Sequence, residues 1–271
     1  MAYKAAKATP VTARKLRVEY ACLIYHVMNR GDRRELIFMD DADRLRFVET
    51  LGEVCAKTGW QVHAYVLMPN HFHVVVETPQ PNLVAGMKWL LGTYTSRFNR
   101  RHKLFGHLFS GRYKSLIEDG SGSGDLKSVG DYVHLNPARA KLVAADAPLK
   151  SFAWSSWPAY LLARSKRPAW LRVDRLLGEW GIPKDSPAGR QRLERALEER
   201  LVTEEGEVFK PIRRDWCLGE EKFREELLTQ MSERMGAETT MTVGWIDERL
   251  AMGTRGYLNH LLHRRRKLGG E

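Results

Sequence analysis

The triplet His71-Phe72-His73 puts two imidazoles two residues apart in a run, His71 to Glu77, whose valine and phenylalanine content reads as a β-strand. Positions i and i+2 of a strand share a face, so both rings point one way and Phe72 the other, about 7 Å apart along the strand. Such a pair can converge on a metal ion through the outer ring nitrogens, most firmly when each second N–H is held by another group. It can equally be two structural histidines, and the triplet alone leaves both readings open. Tyr132 and Asn136 stand at i and i+4 in a stretch of helical spacing, hence on one helix face. An amide oxygen suits a hard divalent ion as a third ligand, and the tyrosine one turn away presents a hydroxyl beside it. An ion held this way can orient a phosphodiester and offset charge building in its transition state. Without such help a tyrosine hydroxyl, with a pKa near about 10, is a poor nucleophile at neutral pH. The competing reading makes Tyr132 a core aromatic and Asn136 a helix end before Pro137.

The elements that must position these residues follow from periodicity. Val18 to Val27 is rich in β-branched and aromatic residues and is followed by a Gly31-Asp32 turn signal. Asp41 to Thr58 has apolar residues at helical spacing. Trp60 to Met68 and His71 to Glu77 read as strands joined at Pro69-Asn70, a hairpin. Asn82 to about Arg101 is again helical, Tyr113 to Ile117 a short strand, and Leu126 to about Leu142 a helix. The order β-α-β-β-α-β-α predicts an α+β, ferredoxin-like fold: an antiparallel or mixed sheet with helices on its faces. The loop Gly120 to Gly124 precedes the helix carrying Tyr132 and would let it swing relative to the histidine strand. Residues 146–170, rich in proline and tryptophan, read as a connector. Residues 171–271 read as a mainly helical C-terminal domain, giving two domains with the first at 1–145.

The 271 residues hold 44 Lys plus Arg against 33 Asp plus Glu, a formal charge of +11. Residues 1–150 carry 22 basic and 14 acidic side chains, net +8, while 151–271 are net +3. Between Glu77 and Glu118 there is no acid, yet Lys88, Arg97, Arg100, Arg101, Lys103, Arg112 and Lys114 fall there. A one-signed field of this kind recruits polyanions, most often nucleic acid. A hydrophobic share of 43% excludes wholesale disorder. No apolar run is long enough to span a bilayer, so no membrane partner is expected. Lys4 and Lys7 are not followed by an apolar segment, so a cytosolic address is expected. Cys22, Cys55 and Cys217 form no CxxC pair and read as small buried apolar residues.

The strings Tyr25-His-Val-Met-Asn-Arg30-Gly, Met68-Pro-Asn-His-Phe-His73 and Asp131-Tyr-Val-His-Leu-Asn-Pro-Ala-Arg139-Ala occur in this order. Together they resemble the REP-associated tyrosine transposases, relatives of the single-tyrosine transposases in the HUH nuclease superfamily, over about residues 15 to 160. The resemblance implies that His71, His73 and Asn136 bind Mg²⁺ or Mn²⁺ and that Tyr132 is the nucleophile. It implies attack on single-stranded DNA that leaves a 5′-phosphotyrosine link and a free 3′-hydroxyl, with palindromic repeats read as imperfect hairpins. It further implies a bacterial, nucleoid-associated protein, and allows a homodimer in which the tyrosine helix docks on its own sheet or on a partner's. A binding protein that has lost catalysis, a rolling-circle initiator-type nickase and an RNA-processing enzyme are the alternatives.

Among the other aromatics, Tyr113 between Arg112 and Lys114 suits the core or stacking on a base. Tyr25 and Tyr94 fall on the first strand and second helix. His134 points away from Tyr132 and reads as packing, while position alone makes His26 and His63 candidates for supporting the site or touching DNA. In the C-terminal part, residues 243–267 fit a helix-turn-helix, with Thr254 as a cap and Arg255, Asn259 and Arg264 near the exposed face. The expected DNA contacts are therefore Arg97, Arg100, Arg101, Lys103, Arg112, Tyr113, Lys114, Arg255, Asn259 and Arg264.

Overall fold

The computed structural model describes residues 19–122, 124–144, 146–203, 209, 212 and 217–238. The expected helix-turn-helix, with Arg255, Asn259 and Arg264, lies outside the described residues. Strands β1 (Leu23–Arg30), β2 (Gln61–Met68), β3 (His71–Thr78), β4 (Lys114–Glu118) and β5 (Cys217–Leu218) form one sheet in the order β2-β3-β1-β4-β5. The first four are antiparallel and β5 adds to β4 in parallel. With helices α1 (Asp41–Thr58), α2 (Leu83–His102) and α3 (Asp125–Arg139) this is the expected α+β, ferredoxin-like arrangement. The chain bearing β1 enters later than its composition suggests. Ala21 and Cys22 make a turn, Cys22 at φ 62°, and pairing starts at Leu23. Cys22 is exposed, against expectation, while Cys55 and Cys217 are buried.

The two faces of the sheet have different tasks. Phe72 points into the layer built by α1 and α2, its ring 4.9 Å from Phe47 and 6.0 Å from Phe109. Helix α1 starts where Asp40 accepts a hydrogen bond from the Asp43 N–H and stops at Gly59, left-handed at φ 73°. The opposite face carries His71 and His73 and is covered by α3. Register fixes what stands beside them: on β1, Met28 opposes His73 and Arg30 opposes His71.

Residues after α3 complete this unit rather than leaving it. Residues 154–172 run along the outer edge of β2 and satisfy its backbone: Leu67 N–H donates to Trp154, Val62 N–H to Trp170, and the Tyr160 hydroxyl to His63. A covered edge cannot pair with a second chain. Helix α4 (Trp157–Tyr160) lies on this stretch; α5 (Asp174–Glu179) and α6 (Pro187–Thr203) follow. Contacts group Glu19–Arg224 into one compact unit, so the connector 146–170 runs within that unit and not between two bodies. Helix α7 (Glu221–Glu238) enters the second unit at Glu225. Among the described residues, no helix is long and apolar enough to cross a membrane.

Candidate active site

His71 is half-buried at the start of β3 and His73 is buried one step in. Each ring is gripped at Nδ1. The Asn70 side-chain oxygen lies 2.7 Å from Nδ1 of His71, and Nε2 of His26 lies 2.9 Å from Nδ1 of His73. An amide oxygen only accepts, so His71 carries its proton on Nδ1 and keeps a lone pair on Nε2. Among the described residues, no protein group bonds Nε2 of either ring. This is the support a metal-binding imidazole requires. Both rings are also held neutral. Burial, and then the Arg30 charge, push His71 down to about 4; burial with the neighbouring His26, His71 and Arg30 pushes His73 well below the ordinary range. Burial pushes His26 down to about 4.

Tyr132 comes to this pair from α3, half-buried, its ring 5.4 Å from His73 and 5.8 Å from His26, edge-on to both. Asn136, also half-buried, follows one turn later on the same helix face. Among the described residues, no three His, Cys, Asp or Glu side chains cluster as a metal site.

Helix α3 is held firmly on its own chain's sheet. Gly124, at φ 92°, turns the chain into it. Arg175 of α5 donates to the Gly120 carbonyl at 2.7 Å, tying the glycine loop down at its start. Asp131, next to the tyrosine, is buried and gripped by the Trp180 indole N–H at 3.2 Å and by Arg200 of α6.

A scan against known families matches residues 19–136 to "Transposase IS200 like". That part of the chain is similar to the IS200-like transposases. Solved structures similar to the chain include a REP-associated tyrosine transposase bound to a REP hairpin, at 16% identity and TM-score 0.45, covering 60% of this chain and 93% of that one. Another is a candidate transposase of Deinococcus radiodurans R1, at 23% identity and TM-score 0.31, covering 38% and 85%. No curated protein matches the chain.

The structure separates the expected DNA contacts into engaged and exposed side chains. Arg97 is paired with Glu53 at 2.8 and 3.0 Å, and Arg101 with Asp40 and Asp43. Their charge is largely spent inside the protein. Tyr113 is only 8% exposed, which corrects the idea of its ring as a stacking platform. Arg100, Lys103, Arg112 and Lys114 are exposed. Of the other tyrosines, Tyr25 is buried and Tyr94 is buried with its hydroxyl on the Ile37 carbonyl, away from the histidine face. His134 is buried against Trp157 and Tyr160 and bonded to Ser156, while His63 sits on Glu77, which Arg175 and Arg172 also hold.

Two site neighbours were missed. Arg30 lies on the histidine face, half-buried, with a buried Nε that has no hydrogen-bond partner among the described residues. Alternation from His26 through Met28 would have placed it there. Phe209, fully buried, packs 5.5 Å from Tyr132 and under Arg139 at 4.4 Å. It is remote in sequence and no local pattern marks it.

Proposed function

We propose that this domain cuts and rejoins single-stranded DNA through Tyr132. The observation that carries the reading is the convergence of three rings. Tyr132 stands edge-on to His73 and His26, beside an imidazole pair whose outer nitrogens have no partner among the described residues. The sequence strings shared with REP-associated tyrosine transposases put repeat-derived hairpins first among substrates, and the similar solved structure is of such a protein bound to a REP hairpin.

In the reaction the tyrosine oxygen forms a bond to phosphorus as the bond to the 3′-oxygen breaks. The proton lost from the hydroxyl is matched by the one that the departing 3′-oxygen gains. The product is a 5′-phosphotyrosine and a free 3′-hydroxyl, and reversal with another 3′-hydroxyl rejoins the strand. Arg30, a planar fork on the histidine face, binds a non-bridging phosphate oxygen. Packing of α3 against its own sheet presents the hydroxyl in a fixed place, so that attack approaches an intramolecular reaction. His71, His73 and Asn136 would hold Mg²⁺ or Mn²⁺, which supplies charge neutralisation at the phosphate when bound. Asn70 keeps His71 in the tautomer that leaves Nε2 free, and His26 would do the same for His73 by accepting from its Nδ1–H.

The test is incubation of the full chain with end-labelled single-stranded hairpins from repeats flanking its own gene, with Mg²⁺, Mn²⁺ or chelator, resolved on a denaturing gel. A slow covalent band that needs the metal supports the proposal. Salt-sensitive binding with no nicking at any metal concentration points instead to a binding protein.

A further inference from the structure

The end of α2 and the loop that leads to β4 form a feature the site does not use. Phe105 is 97% exposed and Leu104 beside it 43% exposed. The loop that holds them is built, not slack. Lys103 closes α2 in the left-handed region, and Gly106 follows at φ 90°, where a side chain would be strained. The Asn99 side chain donates to the Gly106 carbonyl at 3.0 Å, and Leu104 N–H to the Asn99 carbonyl at 2.9 Å. Beyond the tip, Phe109 is buried against Phe72 and Tyr94. A phenylalanine fixed outward on an ordered turn loses little freedom when it meets a partner.

The loop is also joined to the site. Ser110 N–H donates to the Arg30 carbonyl and Asp32 N–H to the Leu108 carbonyl, both near 2.9 Å or shorter. Arg30 is the residue opposite His71. Asn70, which holds His71, donates to the Arg34 carbonyl at 3.1 Å. Arg100 and Lys103 precede the tip on α2 and its cap, and Arg33 and Arg34 follow Asp32, whose N–H bonds the loop at Leu108; all four are exposed and none is ion-paired among the described residues, beside the acids Asp32 and Glu35. A scattered surface hydrophobe needs no explanation. A fully exposed ring with exposed cations close by, on an ordered turn anchored to the histidine end of the sheet, is the composition of a single-strand platform.

We infer that Phe105 stacks on an unpaired nucleobase of the DNA strand, with Arg100 and Lys103 on the flanking phosphates, and so sets how far from the site the strand is gripped. This rests on the DNA-cutting reading above. The excess of cations over acids near the tip favours a polyanion over a protein partner.

The experiment uses the full chain and a set of hairpin oligonucleotides in which each unpaired position in turn is made abasic. With the wild-type protein, one abasic position should weaken binding by about 5- to 150-fold, the range for loss of one base–aromatic stack. In Phe105→Ala all oligonucleotides should bind equally weakly, and that position should lose its effect. Phe105→Trp should restore it. An unchanged melting temperature in Phe105→Ala, expected of so exposed a side chain, shows that the fold is intact. If the wild type forms the covalent adduct yet Phe105→Ala binds every oligonucleotide as the wild type does, the inference is overturned and the functional reading stands. If the wild type forms no adduct but the position-specific loss is seen, the cutting reading fails and the base platform stands.

Discussion

Replacing His26 by phenylalanine tests whether the buried ring serves the site or only fills space. An aromatic ring still stacks on His73, 5.0 Å between centroids in the wild type, but both ring nitrogens are lost, including the one 2.9 Å from Nδ1 of His73. Two costs follow. An orphaned, buried Nδ1 on His73 should lower stability by about 1–3 kcal/mol, which at about 2–4 °C per kcal/mol for a protein of this size is a drop of several degrees in Tm. Loss of the group that orients a metal-binding imidazole should weaken Mn²⁺ binding by about 10- to 100-fold, or about 1.4–2.7 kcal/mol. Calorimetric titration of Mn²⁺ into wild type and variant measures the second, and a melting curve the first. Adduct formation should fall at limiting Mn²⁺ and recover as Mn²⁺ is raised. Mn²⁺ affinity within twofold of wild type, alongside the lower Tm, would refute the reasoning and leave His26 a packing residue.

Other perturbations have worked signs. Arg30→Ala should lower the rate of adduct formation by about 10- to 100-fold, the scale of one charge-assisted hydrogen bond, and flatten the salt dependence of single-strand binding by about 0.7 in log–log slope; unchanged rate and slope would remove Arg30 from the site. Burial holds His26 at about 4 and His134 at about 3, below the unfolded value of about 6.5, so their contribution to stability is present above that value and is lost as pH falls through it. Tm should therefore decline from pH 7 to 4.5, and a flat profile would contradict the buried neutral histidines. Glu118 runs the other way: burial, then the Asp125 charge, raises its pKa well above the ordinary value, and neither carboxylate oxygen has a partner. Glu118→Gln should thus raise Tm more at pH 8 than at pH 5, and an equal change at both would sink that assignment.

Much of the site was legible because its geometry is local. Alternation along a strand puts His71 and His73 together, and helical spacing puts Asn136 one turn from Tyr132. Neither pattern says that the two elements meet. That came from the likeness of three strings to a known family, and the structure places Tyr132 against His73 through the packing of α3 on the sheet. The charge reading was coarser. Arg97 and Arg101 belong to the acid-free stretch in sequence, yet Glu53, Asp40 and Asp43 reach them from α1 and its cap across the fold. Short-range charge counting cannot see such partners. Strand β5 escaped notice because two residues have no periodicity, and they pair with a strand roughly 100 positions earlier. The loop holding Phe105 was read only as basic; its exposure depends on which neighbours α2 and Phe109 leave uncovered.

The central claim is that Tyr132 becomes joined to DNA, and peptide mapping of the adduct by mass spectrometry tests it most directly. After incubation with hairpin DNA and Mn²⁺, digestion should yield one peptide, containing Tyr132, that carries the nucleotide mass on a 5′-phosphate. Tyr132→Phe should bind the hairpin with wild-type affinity and give no such peptide. Nucleotide mass on a different tyrosine, or an undiminished adduct in Tyr132→Phe, would contradict the account.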